Sequence, residues 1–351
     1  MSENENENEN ENRNGRGLSG LANIGNTCYI NSLLQILSHT HELNNFLNLN
    51  TYKSRLNKKP DSVLLIEWDN LRQLLWSQDC IVTPAKFVNT IQRVAHHKKM
   101  ELFTGFAQND LPEFLLFIID CFHGALARKV EMTIEGNIQT NVDKVAVQCY
   151  EMTKQMFSKD YSEIWQMFYG IHVSQLISTD ESKTELSSSP EPFCIINLSI
   201  PPLDNSPSLL SCFDYYVQGE ILDGENAWFN ELTGEKQSIC KKIIYWSLPE
   251  ILIIDIKRFN NKNNKNQSFV TFPLVDMDLS KYVIGYKRES YIYDLYGICN
   301  HSGSSLGGHY TSFVKNANGK WYHFNDTSVA EVSNLSYLIS PKAYCLFYRK
   351  K

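Results

Sequence analysis

A chain of 351 residues is long enough for one large domain or two to three lobes around a sizeable core. Of its formal charge of −6, about half comes from the first 17 residues, which hold five glutamates and two arginines, so the body of the chain is near neutral and argues against a nucleic-acid footprint. The longest apolar runs, such as "FLLFII" at 114–119, fall far short of the roughly 18 residues that span a bilayer, so no membrane association is expected.

The start, "MSENENENENENRNGRG", has no basic n-region, no apolar h-region and almost nothing to bury. It reads as a disordered low-complexity tail over residues 1–17 rather than a signal peptide. Nine cysteines (positions 28, 80, 121, 149, 194, 212, 240, 299 and 345) are an odd count, and no two lie closer than 18 residues. That scatter argues for reduced thiols in an intracellular compartment, cytoplasmic or nuclear, and against a disulfide framework or a CxxC zinc knuckle.

In "GLANIGNTCYINSLLQ" a glycine-containing turn precedes Cys28, and Ile30, Leu33, Leu34 and Leu37 follow at the spacing of a helix with one buried face, for which Thr27 can serve as N-cap. A thiolate, not a thiol, attacks carbonyl carbon, and a helix N-terminus lowers a thiol pKa through its free N–H groups and dipole. Cys28 is therefore a candidate nucleophile, against the alternative of a buried filler. Cys121, Cys299 and Cys345 sit in apolar helical or strand-like runs and read as core.

A second helical signal opens at "DLPEFLLFIIDCF", where Asp110 and Glu113 stand in capping-box relation and Pro112 falls in the first turn. The pattern stays mainly helical to about Tyr161. After about Gly170, Ser and Pro clusters separate strand-like runs such as "FCIINLSI" and "IIYWSLPEILIIDIKRF", and "NNKNNKNQ" at 260–267 interrupts them as a surface loop.

Near the end, "HYTSFVK" and "KWYHFND" flank the turn signal "NANG" and read as a hairpin. Pairing Asn316 with Gly319 places His309 opposite Asp326, whereas a one-residue bulge places it opposite Asn325. Either arrangement joins a histidine to an orienting amide or carboxylate, the second half of a Cys-His-Asn/Asp triad; an ordinary surface histidine is the alternative. Gly307 and Gly308 allow a backbone turn and close approach of another chain.

Six stretches, "GLANIGNTCYINSLLQ", "GFAQNDLPEFL", "LPEILIIDIKRF", "NHSGSSLGGHYTSFV", "WYHFND" and "AYCLFY", resemble in order the Cys and His boxes and intervening motifs of the ubiquitin-specific proteases, a family of peptidase C19 type. The resemblance implies an α+β, papain-like cysteine peptidase fold. Residues 18–350 would form the catalytic domain, with a helical thumb at about 18–165, β fingers at about 166–245 and a β-rich palm at about 246–350. It implies Cys28 as nucleophile, His309 as general base and acid, Asn325 as third triad member with Asp326 as an auxiliary group, and Asn23 as oxyanion donor. Asp110 and Glu113, with Gln108, fit the Q-x-D-x-x-E-F pattern whose acidic residues contact the basic tail of ubiquitin. Tyr310 matches a cleft-lining tyrosine, and Gly307 and Gly308 admit the tail to the backbone.

The implied activity is hydrolysis of the bond after the C-terminal glycine of ubiquitin through a thioester, by a monomer that needs no cofactor and acts on ubiquitin and ubiquitinated proteins. A protease for a ubiquitin-like modifier and a catalytically silent ubiquitin-binding module are the alternatives. Many relatives hold a structural zinc on two CxxC pairs in the fingers. The matching stretches here, "ISTDE" around Ser178 and "WFNELT" around Asn230, hold no Cys pair, so no metal is expected. Leu111 stands where the family usually has alanine.

Overall fold

The computed structural model describes residues 16–231, 233–260, 262–304 and 307–351. The tail expected at residues 1–17 lies outside these apart from Arg16 and Gly17.

From Cys28 to Phe168 the chain is mainly helical: α1 (Cys28–Ser38), α2 (His41–Asn48), α3 (Pro60–Ser77), α4 (Ala85–His97), α5 (Leu111–Leu126), α6 (Asn141–Phe157) and α7 (Glu163–Phe168). Prolines open α3 (Pro60) and α5 (Pro112), where a missing N–H costs no intrahelical bond. Two short strands, β1 (Gly20–Leu21) and β2 (Ile81–Val82), pair in parallel and fasten the segment before Cys28 to the loop after α3. The helix expected to bury one face is instead buried on all sides, because α1 is wedged between α5 and the large sheet described next.

That sheet runs in the spatial order β15 (Ser328–Glu331), β14 (Trp321–Asn325), β13 (Gly307–Lys315), β12 (Ile292–Ser304), β16 (Ala343–Lys350), β10 (Ile251–Lys257), β5 (Ile195–Ser199), with β11 (Met277–Asp278) beside β12. All these neighbours are antiparallel except β5 and β10. Its strands alternate faces with period two: Ile251 and Ile253 pack into the helical half, while Leu252, Ile254 and Ile256 face the opposite side, covered by α8 (Leu209–Val217). Each such aliphatic side chain contributes on the order of 2 kcal/mol by leaving water. The helix that begins at Cys28 is thus clamped on a sheet held from both faces.

A second sheet, β4 (Glu185–Phe193), β3 (Gly170–Ser178), β9 (Ile239–Ser247), β6 (Glu220–Leu222), and the small hairpin β7 (Trp228–Asn230) with β8 (Glu235–Gln237) make the remaining β structure. Within 166–245, β5 and α8 leave this second sheet and join the large one. Ser178 ends β3 and Asn230 ends β7, so the stretches compared with zinc-binding pairs are strand ends here. Among the described residues no helix is long and apolar enough to cross a membrane, and no group of three or more His, Cys, Asp or Glu is placed to hold a metal ion.

Candidate active site

The chain enters α1 through a tight turn in which Gly25 (φ 123°) and Asn26 (φ 51°) both take left-handed backbone angles. Thr27 occupies the N-cap position but makes no capping bond; its hydroxyl instead accepts the N–H of Ile24 at 3.1 Å and donates to Asn23 Oδ1 at 3.3 Å. Cys28 follows as the first helical residue, 2% exposed.

Its thiol is held above the ordinary cysteine value: burial raises it most, the charge of Asp326 adds to the rise, and N–H groups of Tyr310, Tyr29 and Cys28 itself pull the other way. The lowering expected from the helix N-terminus is present, but desolvation exceeds it. The net effect favours the thiol form of Cys28 over the thiolate.

The hairpin of β13 and β14 holds His309, the candidate base. Gly319 takes φ 78° and its N–H bonds Asn316 O at 2.9 Å, while Asn316 N–H bonds Lys320 O, so a three-residue loop closes the hairpin. The ladder therefore pairs Ser312 with Phe324 and Lys315 with Trp321, one residue away from the register of an Asn316–Gly319 pair. It ends before His309, because β14 turns at Asp326 and Thr327 into β15, with Asn325 paired to Ser328. His309 reaches Asn325 through its side chain, with Nε2 2.6 Å from Oδ1. An amide oxygen can only accept, so Nε2 carries the proton and Nδ1 is left as the basic nitrogen. His309 and Asn325 are exposed, and Tyr310, next in β13, is buried on the strand that packs against α1.

Asp326 (φ 49°) is the junction of the site. Its Oδ2 accepts Asn23 Nδ2 at 3.1 Å and its Oδ1 accepts Asn31 Nδ2 at 2.8 Å, while its backbone oxygen takes the N–H of Leu21 at 2.9 Å. Asn23 Oδ1 is occupied by the N–H groups of Gly25 and Thr27, at 3.2 and 3.1 Å, so its amide presents Nδ2 as a fixed donor. Asn31 was not among the sequence candidates. It is a polar residue, 2% exposed, on a wholly buried helix three residues after the cysteine, and no local pattern in the sequence points to its partner.

A cavity of about 260 Å³ opens beside Tyr310, lined by Gln108, Asp110, Gly307, Gly308 and Tyr344 among others. The Asp110–Glu113 capping box does not form, since Asp110 makes no side-chain cap bond. Its Oδ1 instead accepts the hydroxyls of Tyr344 at 2.8 Å and Tyr310 at 3.3 Å, and burial raises its pKa. Glu113 is exposed on α5 and does not line the cavity. Gly307 and Gly308 lie within β13 rather than in a turn. Gln108 bonds both backbone groups of Gly308: Oε1 accepts its N–H at 2.8 Å and Nε2 donates to its oxygen at 2.6 Å.

Residues 19–348 match the family model described as Ubiquitin carboxyl-terminal hydrolase. The chain is 33% identical over 345 residues to Ubiquitin carboxyl-terminal hydrolase 2 of Homo sapiens, covering 95% of this chain and 55% of that protein. It is likewise 33% identical over 355 residues to the Gallus gallus protein of the same name, covering 95% of this chain and 93% of that one. This chain thus spans about half the length of the human relative and 35% of the Drosophila melanogaster one. Among solved structures, the SAGA DUB module bound to ubiquitin aldehyde superposes with a TM-score of 0.72 at 23% identity, over 97% of this chain and 70% of that one. That likeness shows the papain-like α+β fold. With the family model covering nearly the whole chain, this protein belongs to the ubiquitin carboxyl-terminal hydrolase family.

Proposed function

We propose that this chain is a deubiquitinating cysteine protease, a thiol-dependent hydrolase that cleaves the bond after the C-terminal glycine of ubiquitin. The observation that carries the reading is the His309–Asn325 pair, 2.6 Å apart, at the end of β13, the strand on which the helix that begins at Cys28 packs. Family membership and the ubiquitin-bound state of the superposed DUB module support ubiquitin as the partner.

His309 Nδ1 takes the Cys28 proton as sulfur attacks the glycine carbonyl, and Asn23 Nδ2 with backbone N–H near Cys28 holds the developing oxyanion. The imidazolium then protonates the leaving amine as the C–N bond breaks, leaving a thioester. His309 next deprotonates water, which attacks the thioester, and the sulfur departs as the restored thiol. A base-assisted attack suits a nucleophile that rests as a thiol. Asp110 and the cavity beside it receive the basic tail of ubiquitin, and the protein acts as a monomer without a cofactor. All nine cysteines are unpaired, in keeping with a cytoplasmic or nuclear setting.

Hydrolysis of lysine-linked diubiquitin, compared with precursors of ubiquitin-like modifiers at equal concentration, tests the assignment. The expected outcome is cleavage of diubiquitin that disappears on thiol alkylation. Faster cleavage of another modifier would replace ubiquitin as the substrate.

A further inference from the structure

The segment from Phe106 to Asp110 crosses from the helical half to the large sheet and is tied at both ends. On the nucleophile side, Asn26 Nδ2 donates to Phe106 O at 3.0 Å, and Asn109 Nδ2 donates to the hydroxyl of Tyr29, the residue after Cys28, at 3.1 Å. On the base side, Asp110 takes the hydroxyls of Tyr310 and Tyr344. Gln108 lies between these ties. Its carboxamide meets Gly308 with one donor and one acceptor, at 2.6 and 2.8 Å, as a neighbouring strand would.

Gly308 is the residue before His309, and its N–H and C=O fix the peptide plane from which the histidine departs. On its other side β12 presses closely: a Cβ at Gly308 would stand 2.3 Å from His301 Nε2 and 2.5 Å from Ser302 O. The start of β13 is therefore gripped between β12 and the Gln108 side chain. The ladder to β14 begins only at Ser312, so β14 gives the backbone at His309 no support. Without Gln108 that end of the strand is held from the β12 side alone.

We infer that Gln108 is a positioning residue for His309, a brace that sets the placement of the base relative to the nucleophile, rather than only a contact for substrate. The inference rests on the proposed hydrolase reading for its kinetic consequence, but the brace itself is measurable without substrate. A carboxamide is the side chain that offers one donor and one acceptor side by side, which is what the N–H and C=O of one residue require. Displacement of a general base by about 1 Å costs on the order of 10²-fold in turnover.

The experiment compares Gln108→Ala and Gln108→Glu with the parent chain by amide hydrogen exchange at Gly308, by kcat and KM on a ubiquitin substrate, and by ubiquitin affinity in the Cys28→Ala background. Gln108 is exposed, so both variants should keep the fold. In Gln108→Ala the Gly308 amide should exchange at least about tenfold faster, kcat should fall about 10- to 100-fold, and KM and ubiquitin affinity should stay within about threefold. Gln108→Glu, which keeps the acceptor for Gly308 N–H and loses the donor to its carbonyl, should fall between. Combined with His309→Ala, the Gln108→Ala loss in residual kcat should vanish, since the brace acts through that base.

Unchanged exchange at Gly308 would overturn the brace directly. Faster exchange with kcat intact and KM raised would reassign Gln108 to substrate contact alone. A lowered KM would make it a latch that substrate must displace. If no ubiquitin substrate is turned over, the exchange result still decides the brace while the hydrolase reading fails.

Discussion

His309 Nε2 and Asn325 Oδ1 lie 2.6 Å apart at the open end of a hairpin whose ladder has already ended. The contact is made by side chains alone, so Asn325 can be altered without disturbing strand pairing. Asn325→Ala should lower kcat by on the order of 10²-fold while leaving ubiquitin affinity nearly unchanged, as measured by turnover and by titration of ubiquitin onto the Cys28→Ala chain. Equal losses in both would contradict an orienting role.

Asp326 fixes the amides of Asn23 and Asn31 and also raises the Cys28 pKa by its charge. Asp326→Asn separates the two effects. If Asn23 is the oxyanion donor proposed above, turnover should fall by up to about 10²-fold as its amide loses its charged anchor. Alkylation of Cys28 by iodoacetamide should meanwhile move to lower pH, because removing a nearby negative charge favours the thiolate. In the parent chain the thiolate fraction at pH 7 should lie below that of a free cysteine. A rate flat from pH 5 to 8 would instead indicate a resting thiolate–imidazolium pair.

Much of this site was legible in the sequence because it rests on local signals. Ile30, Leu33, Leu34 and Leu37 announce a helix beginning at Cys28, and "NANG" between aromatic runs announces the hairpin that carries His309 and Asn325. The register was not legible. It depends on Gly319 adopting a positive φ within a three-residue loop, and both loop lengths suit the same four letters. Capping chemistry failed at Thr27 and Asp110 because each side chain found another partner, the nearby Asn23 amide for the first and the far-off hydroxyls of Tyr310 and Tyr344 for the second. Nothing local marks Gln108 as facing Gly308, 200 positions away, or Asn31 as facing Asp326.

The two adjacent glycines of β13 differ in what surrounds them. Among the described residues, a Cβ on Gly307 meets only Gln108 Oε1 at 3.5 Å, an ordinary contact, whereas one on Gly308 meets His301 and Ser302 far inside contact distance. Gly307→Ala should therefore leave turnover within about threefold of the parent, and Gly308→Ala should lower it by at least about tenfold as β13 shifts under His309. Parallel kinetics of the two variants check this; equal effects would contradict the packing argument.

Asp255 on β10 is 8% exposed, its Oδ1 has no hydrogen-bond partner among the described residues, and burial with the nearby Asp110 pushes its pKa to about 7. In the unfolded chain it is an ordinary aspartate near 4. Between those values the folded state keeps a proton that the unfolded state has lost, so stability falls as pH rises from about 4 to about 7, by on the order of 4 kcal/mol, and then levels. Asp255→Asn should remove this fall, giving a chain more stable than the parent at pH 8 and similar to it at pH 4. Urea unfolding across that range measures the difference; parallel curves for the two chains would contradict it.

The most direct test of the central claim uses ubiquitin carrying a C-terminal electrophile, followed by intact mass and peptide mapping. The account predicts one ubiquitin bound through Cys28 and no adduct on Cys28→Ala, even though Cys80 is exposed and Cys28 is buried. An adduct on Cys80, an adduct that survives Cys28→Ala, or no adduct at all would contradict it.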